Sequence, residues 1–136
     1  MPEYVIRPVG RVESELTDPA TAPRQGDEGA PDCVIALAGE YATAARDVAV
    51  GAELLVLTWL DRADRDVQLV RPRGDADRPP TGVFSTRSPD RPNPIGLHRV
   101  TVLEVDGLRL RVRDLEALDG TPVVDLKPVL GGVAER

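Results

Sequence analysis

Aromatic residues are almost absent from this chain. Phe, Trp and Tyr make up only 3% of its 136 residues, although apolar residues make up 41%. The core must therefore be assembled from Val, Leu, Ala and Ile, and the β-branched members of that set favour strands over helices. A chain of this length falls in the size range of one domain. We therefore expect a single domain with a strand-rich core.

Cysteine and histidine are equally scarce, with one residue of each, Cys33 and His98. This scarcity excludes an intramolecular disulfide and a zinc cluster built from these ligands. It also argues against nucleophilic chemistry by a Ser-His or Cys-His pair. We predict that Cys33 is a small core residue, that no metal is bound, and that the protein is cytoplasmic.

Long apolar runs and excess positive charge are missing as well. No segment reaches the roughly 18 apolar residues of a membrane helix, and we expect a soluble protein without a signal peptide or membrane partner. The formal net charge is −6, so the chain as a whole does not attract a phosphate backbone. A nucleic-acid contact needs a local group of arginines, and a solvated mixed-charge surface is the alternative. The candidates are Arg62, Arg65, Arg71, Arg73, Arg78, Arg87, Arg91 and Arg99.

The chain does contain a series of short strand patterns. Strands are predicted in "YVIRPVGRVES" (4–14), "CVIALA" (33–38), "AELLVLTWL" (52–60, covered on both faces) and "TPVVDLKP" (121–128). The segment "EYATAARDVAV" predicts one short helix. These patterns predict an all-β domain, a single sheet closed into a barrel, with at most one or two short helices.

The clearest strand pair is "VTVLEVDGLRLRV" (100–112). Asp106-Gly107 is the two-residue sequence of a type I′ turn, whose central positions need positive φ. Such a turn places Val105 opposite Leu108 and Glu104 opposite Arg109. The sequence therefore predicts both a hairpin and its register.

Three polar loops are restricted by proline or glycine: "PRQ" (23–25), "TRSPDRPNPIGLH" (86–98) and "LDGTP" (118–122). Proline fixes φ, while glycine adopts conformations closed to other residues, so each loop has few backbone paths. A rigid loop presents its polar groups to a ligand without an ordering cost. We predict that these loops form a binding site, and simple corner turns are the alternative.

The sequence "GVFSTRSPDRPNPIGL", with "APRQ" before it and "LDGTPVVDLKPVL" after it, resembles the TrmO family, also called the TsaA-like or YaeB-like family. The resemblance runs from Val9 to Leu130. It implies an S-adenosylmethionine-dependent methyltransferase with a single-sheet β-barrel, active as a homodimer with the cofactor near the subunit interface. The family's characterised activity is N6-methylation of threonylcarbamoyl-adenosine at position 37 of tRNA, beside the anticodon.

The resemblance also implies cofactor contacts where this chain matches the family's motifs. Those positions are Pro23, Arg24, Gln25, Asp61, Arg62, Arg87, Leu97, Asp119, Gly120, Thr121 and Pro122. Asp61 departs from the family pattern, which has a histidine at that position. Longer relatives continue into a C-terminal extension, so we expect residues 1–136 to form the single domain without it.

Methyl transfer from a sulfonium is an in-line displacement, which suits rigid loops that align donor and acceptor. Arg87 or Arg24 could bind the methionine carboxylate of the cofactor through two hydrogen bonds. Asp119 is the first candidate for the base that takes the acceptor's proton, with Asp125 and Asp61 behind it. A plain turn residue is the equal alternative for Asp119.

Several alternatives stay open at this point. His98 is either a general base or a hydrogen-bonding residue at the end of a loop. Trp59 either stacks a base or, as we prefer, anchors the core. The function is methylation of tRNA, methylation of a small molecule on the same fold, or cofactor binding without catalysis.

Overall fold

The computed structural model describes residues 1–18, 29–71 and 77–131, and within these ranges strands predominate. The strands are β1 (Gly10–Glu13), β2 (Cys33–Leu37), β3 (Glu53–Trp59), β4 (Leu69–Val70), β5 (Thr81–Gly82), β6 (Ile95–Asp106), β7 (Arg109–Arg113) and β8 (Pro122–Pro128). One short helix, α1 (Ala42–Ala45), follows a 3-10 turn at Gly39–Tyr41, and a second 3-10 turn spans Val83–Ser85. Within the described ranges no helix is both long and apolar enough to cross a membrane.

Six strands form one sheet whose hydrogen bonding closes on itself in the order β1-β2-β7-β6-β3-β8. Every neighbouring pair in this ring is antiparallel, including β8 with β1. Closure removes the free edges that an open sheet would carry. The predicted all-β fold, a single closed sheet with at most one or two short helices, is confirmed.

Alternate strand residues point into the ring and build an aliphatic core. The described core cluster is Val12, Cys33, Ile35, Leu54, Val56, Val100, Val102, Leu110, Val112, Leu115, Ala117 and Val123. Burying each Val, Leu or Ile in such a cluster stabilises the fold by about 1.5–3 kcal/mol. No aromatic side chain belongs to this described cluster, as the composition predicts.

Cys33 is buried in this core, as predicted, at the start of β2. Its Sγ lies 3.9 Å from the backbone oxygen of Leu115. Burial first, and then the charges of Asp32 and Glu116, raise the pKa of the Cys33 thiol to about 12. The thiol is therefore neutral at physiological pH.

The hairpin between β6 and β7 is present, but the predicted register is wrong. Asp106 pairs with Arg109, and Val105 lies opposite Leu110. The turn residues are therefore Gly107 and Leu108, and only the glycine has positive φ, at +58°. This arrangement fits a type II′ turn, which needs positive φ at its first central position alone.

Two further strand predictions need correction. The first strand begins at Gly10 instead of residue 4, because Pro8 has no N–H to donate to a ladder. The outer face of β3 is only half-buried, not covered. We call Leu57, Trp59, Ile95 and Leu97 the outer strip, because register pairs Leu57 with Leu97 and Trp59 with Ile95 on that face. Ile95 and Leu97 are 48% and 45% exposed.

Cys33 provides a test of the closed core. Only the thiolate attacks iodoacetamide, and a pKa of about 12 leaves the folded protein with little thiolate at pH 8. We expect alkylation of the native protein to be at least about 100-fold slower than in guanidinium chloride. Mass spectrometry of a time course measures both rates, and equal rates would contradict the buried position.

Candidate functional site

The polar loops that the structure describes meet at one end of the barrel. β1 ends there at Glu13, β3 ends at Trp59, and β6 and β8 begin there. The backbone N–H of Leu60 donates to the oxygen of Pro94 at 2.8 Å and joins the loops on either side of the β3–β6 pair. We call residues 14–17, 60–66, 83–94 and 118–121 the loop end.

A buried chain of polar side chains lies beneath the start of β6. Thr58 Oγ1 and His98 Nε2 are 2.7 Å apart, and His98 Nδ1 and Glu116 Oε1 are 2.6 Å apart. Thr58 is 0% exposed and His98 is 5% exposed. A Cβ at position 96 would collide with Thr58 Oγ1 and His98 Nε2. The "PNPIG" sequence therefore requires glycine at its last position for close packing on this chain.

His98 consequently lies inside the barrel and not at the end of a loop. Its two partners favour the hydrogen-bonding interpretation over the general base. The alternation of buried Gly96, His98 and Val100 along β6 is the sequence signal that could have placed it there. No comparable signal marks Glu116, which follows β7 and was missed.

Arg65 fastens the "PNP" corner from the outside. Its Nε donates to the oxygen of Pro92 at 2.7 Å, and its Nη2 donates to Asn93 Oδ1 at 2.9 Å. The guanidinium carbon lies 5.1 Å from the centroid of the Trp59 ring, which is a cation–π contact. Trp59 is half-buried under Arg65 on the outer face, so the prediction that it anchors the core is wrong.

Arg91 holds the loop that precedes it. Its Nη1 donates to the oxygens of Thr86 and Ser88, each at 3.0 Å, and its Nη2 donates to the oxygen of Val83 at 2.8 Å. The planar guanidinium offers several fixed donors at once, which an ammonium group does not. The backbone N–H of Arg91 also donates to the oxygen of Asp64 at 3.0 Å. Residues 83–91 are therefore tied both internally and to the loop after β3.

The "LDGTP" turn joins the same end from the side of β1. Asp119 Oδ1 accepts from the N–H of Ser14 at 3.0 Å, and the N–H of Asp119 donates to the oxygen of Leu16 at 2.7 Å. Gly120 has a φ of +83°, which favours glycine. The buried Thr121 donates its hydroxyl to the oxygen of Leu118 at 2.7 Å. Asp119 itself is exposed, so this turn presents a carboxylate on a fixed backbone.

Asp61 and Arg62 are exposed in the loop after β3. Arg62 Nη1 donates to the oxygen of Thr17 at 3.1 Å and links this loop to the segment after β1. That segment leads toward Pro23, Arg24 and Gln25, which lie outside the described residues.

The remaining predicted positions lie on different strands and loops. Arg87 is exposed in the loop before β6, and Pro122 begins β8. Leu97 lies on the outer strip next to the loop end. Asp125 lies further along β8, with its Oδ2 3.0 Å from Lys127 Nζ. The structure thus brings Asp61, Arg62, Arg87 and the 119–121 turn to the loop end and leaves Asp125 on the side of the barrel.

Several of the arginines predicted as a possible phosphate-binding group have partners within the protein. Arg99 donates from Nε and Nη2 to Glu53 Oε2 at 3.0 and 2.7 Å. Arg65 and Arg91 use their donors on the loops described above. Arg73 lies outside the described residues. Arg87 is the arginine of the 83–94 loop for which the described part of the chain supplies no partner.

The exposed groups at and beside the loop end are chemically mixed. Arg87 offers a guanidinium, Asp61 and Asp119 offer carboxylates, and Leu97 offers an apolar surface. A guanidinium binds a carboxylate, while carboxylates accept from hydroxyl and ammonium groups. These exposed groups could therefore contact carboxylate, ammonium, hydroxyl and apolar parts of a ligand.

Comparison with known proteins agrees with these features. Residues 11–133 match the family described as tRNA-methyltransferase O N-terminal domain. An Archaeoglobus fulgidus protein named "S-adenosyl-L-methionine-binding protein" is 45% identical, with 90% of this chain and 87% of the relative covered. A second A. fulgidus protein, "Probable S-adenosyl-L-methionine-binding protein", is 46% identical over 90% of this chain, which spans only 33% of that relative's length.

Solved structures give the same fold. The structure named "Crystal structure of TrmO" has a TM-score of 0.77 and 27% identity, with 98% of this chain and 62% of that chain covered. TrmO from Pseudomonas aeruginosa has a TM-score of 0.73 and 25% identity, with 98% and 60% covered. The chain thus spans about three fifths of these solved proteins.

Gly96→Ala tests the contact between β6 and the buried polar chain. The added Cβ must displace Thr58 or His98, so we expect a loss of roughly 2–4 kcal/mol in the free energy of unfolding. Gly39→Ala is the matched control, because a Cβ there meets nothing and should change stability by less than about 0.5 kcal/mol. Adding Thr58→Ala to Gly96→Ala should recover part of the loss. Urea unfolding measures all four proteins, and equal stability of the two glycine variants would contradict the contact.

Proposed function

This chain belongs to the TrmO family, and we propose on that basis that it methylates N6 of threonylcarbamoyl-adenosine at position 37 of tRNA. The cofactor predicted from the sequence is confirmed for the family, since relatives are named for S-adenosylmethionine binding. The observation that carries the proposal is the meeting of the 83–94 and 118–121 loops at one end of the barrel, where Arg87 has no partner among the described residues. Because tRNA is the proposed substrate, we also propose that the protein is cytoplasmic.

In this proposal the loop end binds the cofactor through fixed groups. Bound S-adenosylmethionine supplies an activated methyl group on its sulfonium. Arg87 binds the methionine carboxylate, because its guanidinium is exposed and free of partners in the described chain. Asp61, in place of the family histidine, accepts from the cofactor's hydroxyl or ammonium groups, and Arg62 holds the segment that leads to residues 23–25.

Asp119 is the proposed proton acceptor. The N6 nitrogen of the acceptor loses a proton when it gains a methyl group, so a base is needed within hydrogen-bond reach. Asp119 is exposed, and its Oδ1 is held by the N–H of Ser14. Its Oδ2 is therefore the atom that receives the proton. The backbone contacts of the turn and the Ser14 hydrogen bond restrict the orientation of this carboxylate.

One observation favours a small-molecule acceptor as the second candidate. The net charge is −6, and Arg91 and Arg99 are committed inside the protein or to Glu53. RNA binding normally gains much of its affinity from phosphate contacts, which this surface provides sparsely. A small acceptor would not need them.

Methyl transfer distinguishes these functions. We expect the protein to transfer labelled methyl groups to tRNA that carries threonylcarbamoyl-adenosine, and not to the same tRNA without that modification. Nucleoside mass spectrometry identifies the product. Cofactor binding without transfer to this tRNA would contradict the tRNA function and favour a small-molecule acceptor or a binding protein.

Arg87→Ala should weaken S-adenosylmethionine binding about 10- to 100-fold, because a charge-assisted hydrogen bond is lost. The same experiment includes Arg46→Ala, an exposed arginine after α1 at the opposite end of the barrel, which should bind like the wild type. Isothermal titration measures both affinities.

We also propose that the protein is a homodimer whose interface includes the outer strip. Ile95 and Leu97 expose apolar surface beside the loop end, and a second copy would cover both that surface and the cofactor. Ile95→Asp should convert the dimer to a folded monomer. Val105→Asp, an exposed apolar position near the hairpin tip, should leave the dimer intact. Light scattering at micromolar concentration is the measurement, and a monomeric wild type would contradict the proposal.

A further inference from the structure

Phe84 places an exposed aromatic ring in the loop before β6. It is the single phenylalanine of the chain, and it is 83% exposed within the 3-10 turn Val83–Ser85. Trp59, by contrast, is half-buried beneath Arg65. Since only 3% of the residues are aromatic, an exposed ring within a proposed binding loop is a candidate ligand contact.

The exposure of Phe84 does not come from a loosely held backbone. The preceding Val83 is buried, and its N–H donates to the oxygen of Gln68 at 3.0 Å. The oxygen of Val83 accepts from Arg91 Nη2 at 2.8 Å and from Thr86 Oγ1 at 3.0 Å. The backbone on both sides of Phe84 is therefore fixed, and the ring is presented to solvent by a rigid turn.

A free cation follows the ring in the same loop. Arg87 comes three residues after Phe84, is exposed, and has no partner among the described residues. Because Arg87 is assigned to the carboxylate of the cofactor, the Phe84 ring is left for a separate ligand, and exposed aromatic rings bind unpaired nucleotides by stacking on their bases. Because the net charge of −6 does not attract a phosphate backbone, stacking would have to supply a larger share of the affinity for RNA.

We propose that Phe84 stacks on an unpaired nucleobase of the RNA that carries the methyl acceptor. This inference rests on the proposed tRNA function and adds a contact to it. Position 37 lies in the anticodon loop, where bases are unpaired and can turn outward onto an aromatic ring. Phe84 would hold such a base while the neighbouring residues of the loop end bind the cofactor.

The test compares Phe84→Leu with Phe84→Trp. Leucine keeps an apolar side chain but has no ring to stack, whereas tryptophan keeps the stacking face. We expect Phe84→Leu to weaken binding of a threonylcarbamoylated anticodon stem-loop about 10-fold or more, and Phe84→Trp to stay within about 3-fold of wild type. Fluorescence anisotropy measures both. Val50→Ala, an exposed apolar position at the opposite end of the barrel, should have no effect.

Two further measurements separate stacking from other causes. The loss in Phe84→Leu should be the same at low and high salt, because no charge is removed. S-adenosylmethionine binding, measured by titration, should be unchanged in Phe84→Leu and shows that the variant is folded. A loss of dimer in Phe84→Leu together with the loss of RNA binding would assign the ring to a second copy of the chain and overturn the proposal.

The remaining outcomes are equally decisive. If wild type binds the stem-loop and Phe84→Leu binds it equally well, the stacking contact is wrong and the proposed function stands. If wild type binds the cofactor but no RNA, the tRNA function itself fails, and the stacking proposal fails with it.

Discussion

The backbone of Gly96 lies directly over the Thr58–His98 hydrogen bond, and the geometry of the loop end depends on this contact. A buried hydroxyl and imidazole are costly unless both are hydrogen-bonded. Because a carboxylate only accepts, the imidazole tautomer with its proton on Nδ1 satisfies both contacts: Nδ1 donates to Glu116 and Nε2 accepts from Thr58. The chain is thereby satisfied from end to end, but only a residue without a side chain fits above it. Glycine at position 96 thus allows β6 to pack on the buried pair and places the loop that precedes β6.

In the loop before β6, arginine side chains supply hydrogen-bond donors that the prolines lack. Pro89, Pro92 and Pro94 have no N–H, so this segment cannot be held by a regular backbone ladder. Its carbonyl oxygens instead accept from the guanidinium groups of Arg65 and Arg91. Proline restricts the conformations of the loop, and arginine fixes the loop to the barrel. Arg65 and Arg91, which the sequence suggested as part of a binding surface, therefore stabilise the loop structure instead.

The sequence predicted what depends on composition and local pattern. The aliphatic core, the closed sheet, the buried Cys33 and the existence of the hairpin follow from residue types and their alternation. The hairpin register was missed because Gly107 alone can supply the positive φ of a type II′ turn, while Asp106-Gly107 suggested type I′. The partners of Arg65 and Arg91 were missed because a backbone carbonyl is the same in every residue and leaves no mark in the sequence.

The placement of charge limits how this protein can recognise a ligand. Most described arginines near the motif loops hold carbonyl oxygens or pair with carboxylates, and the chain is acidic, so long-range attraction to an anion is weak. Affinity must then come from contacts that need no reorganisation, because ordering a loop on binding would consume the little energy that few contacts provide. The proline-rich, arginine-tied loop meets that requirement. Rigidity at the loop end therefore compensates for the lack of a basic surface in recognising a ligand.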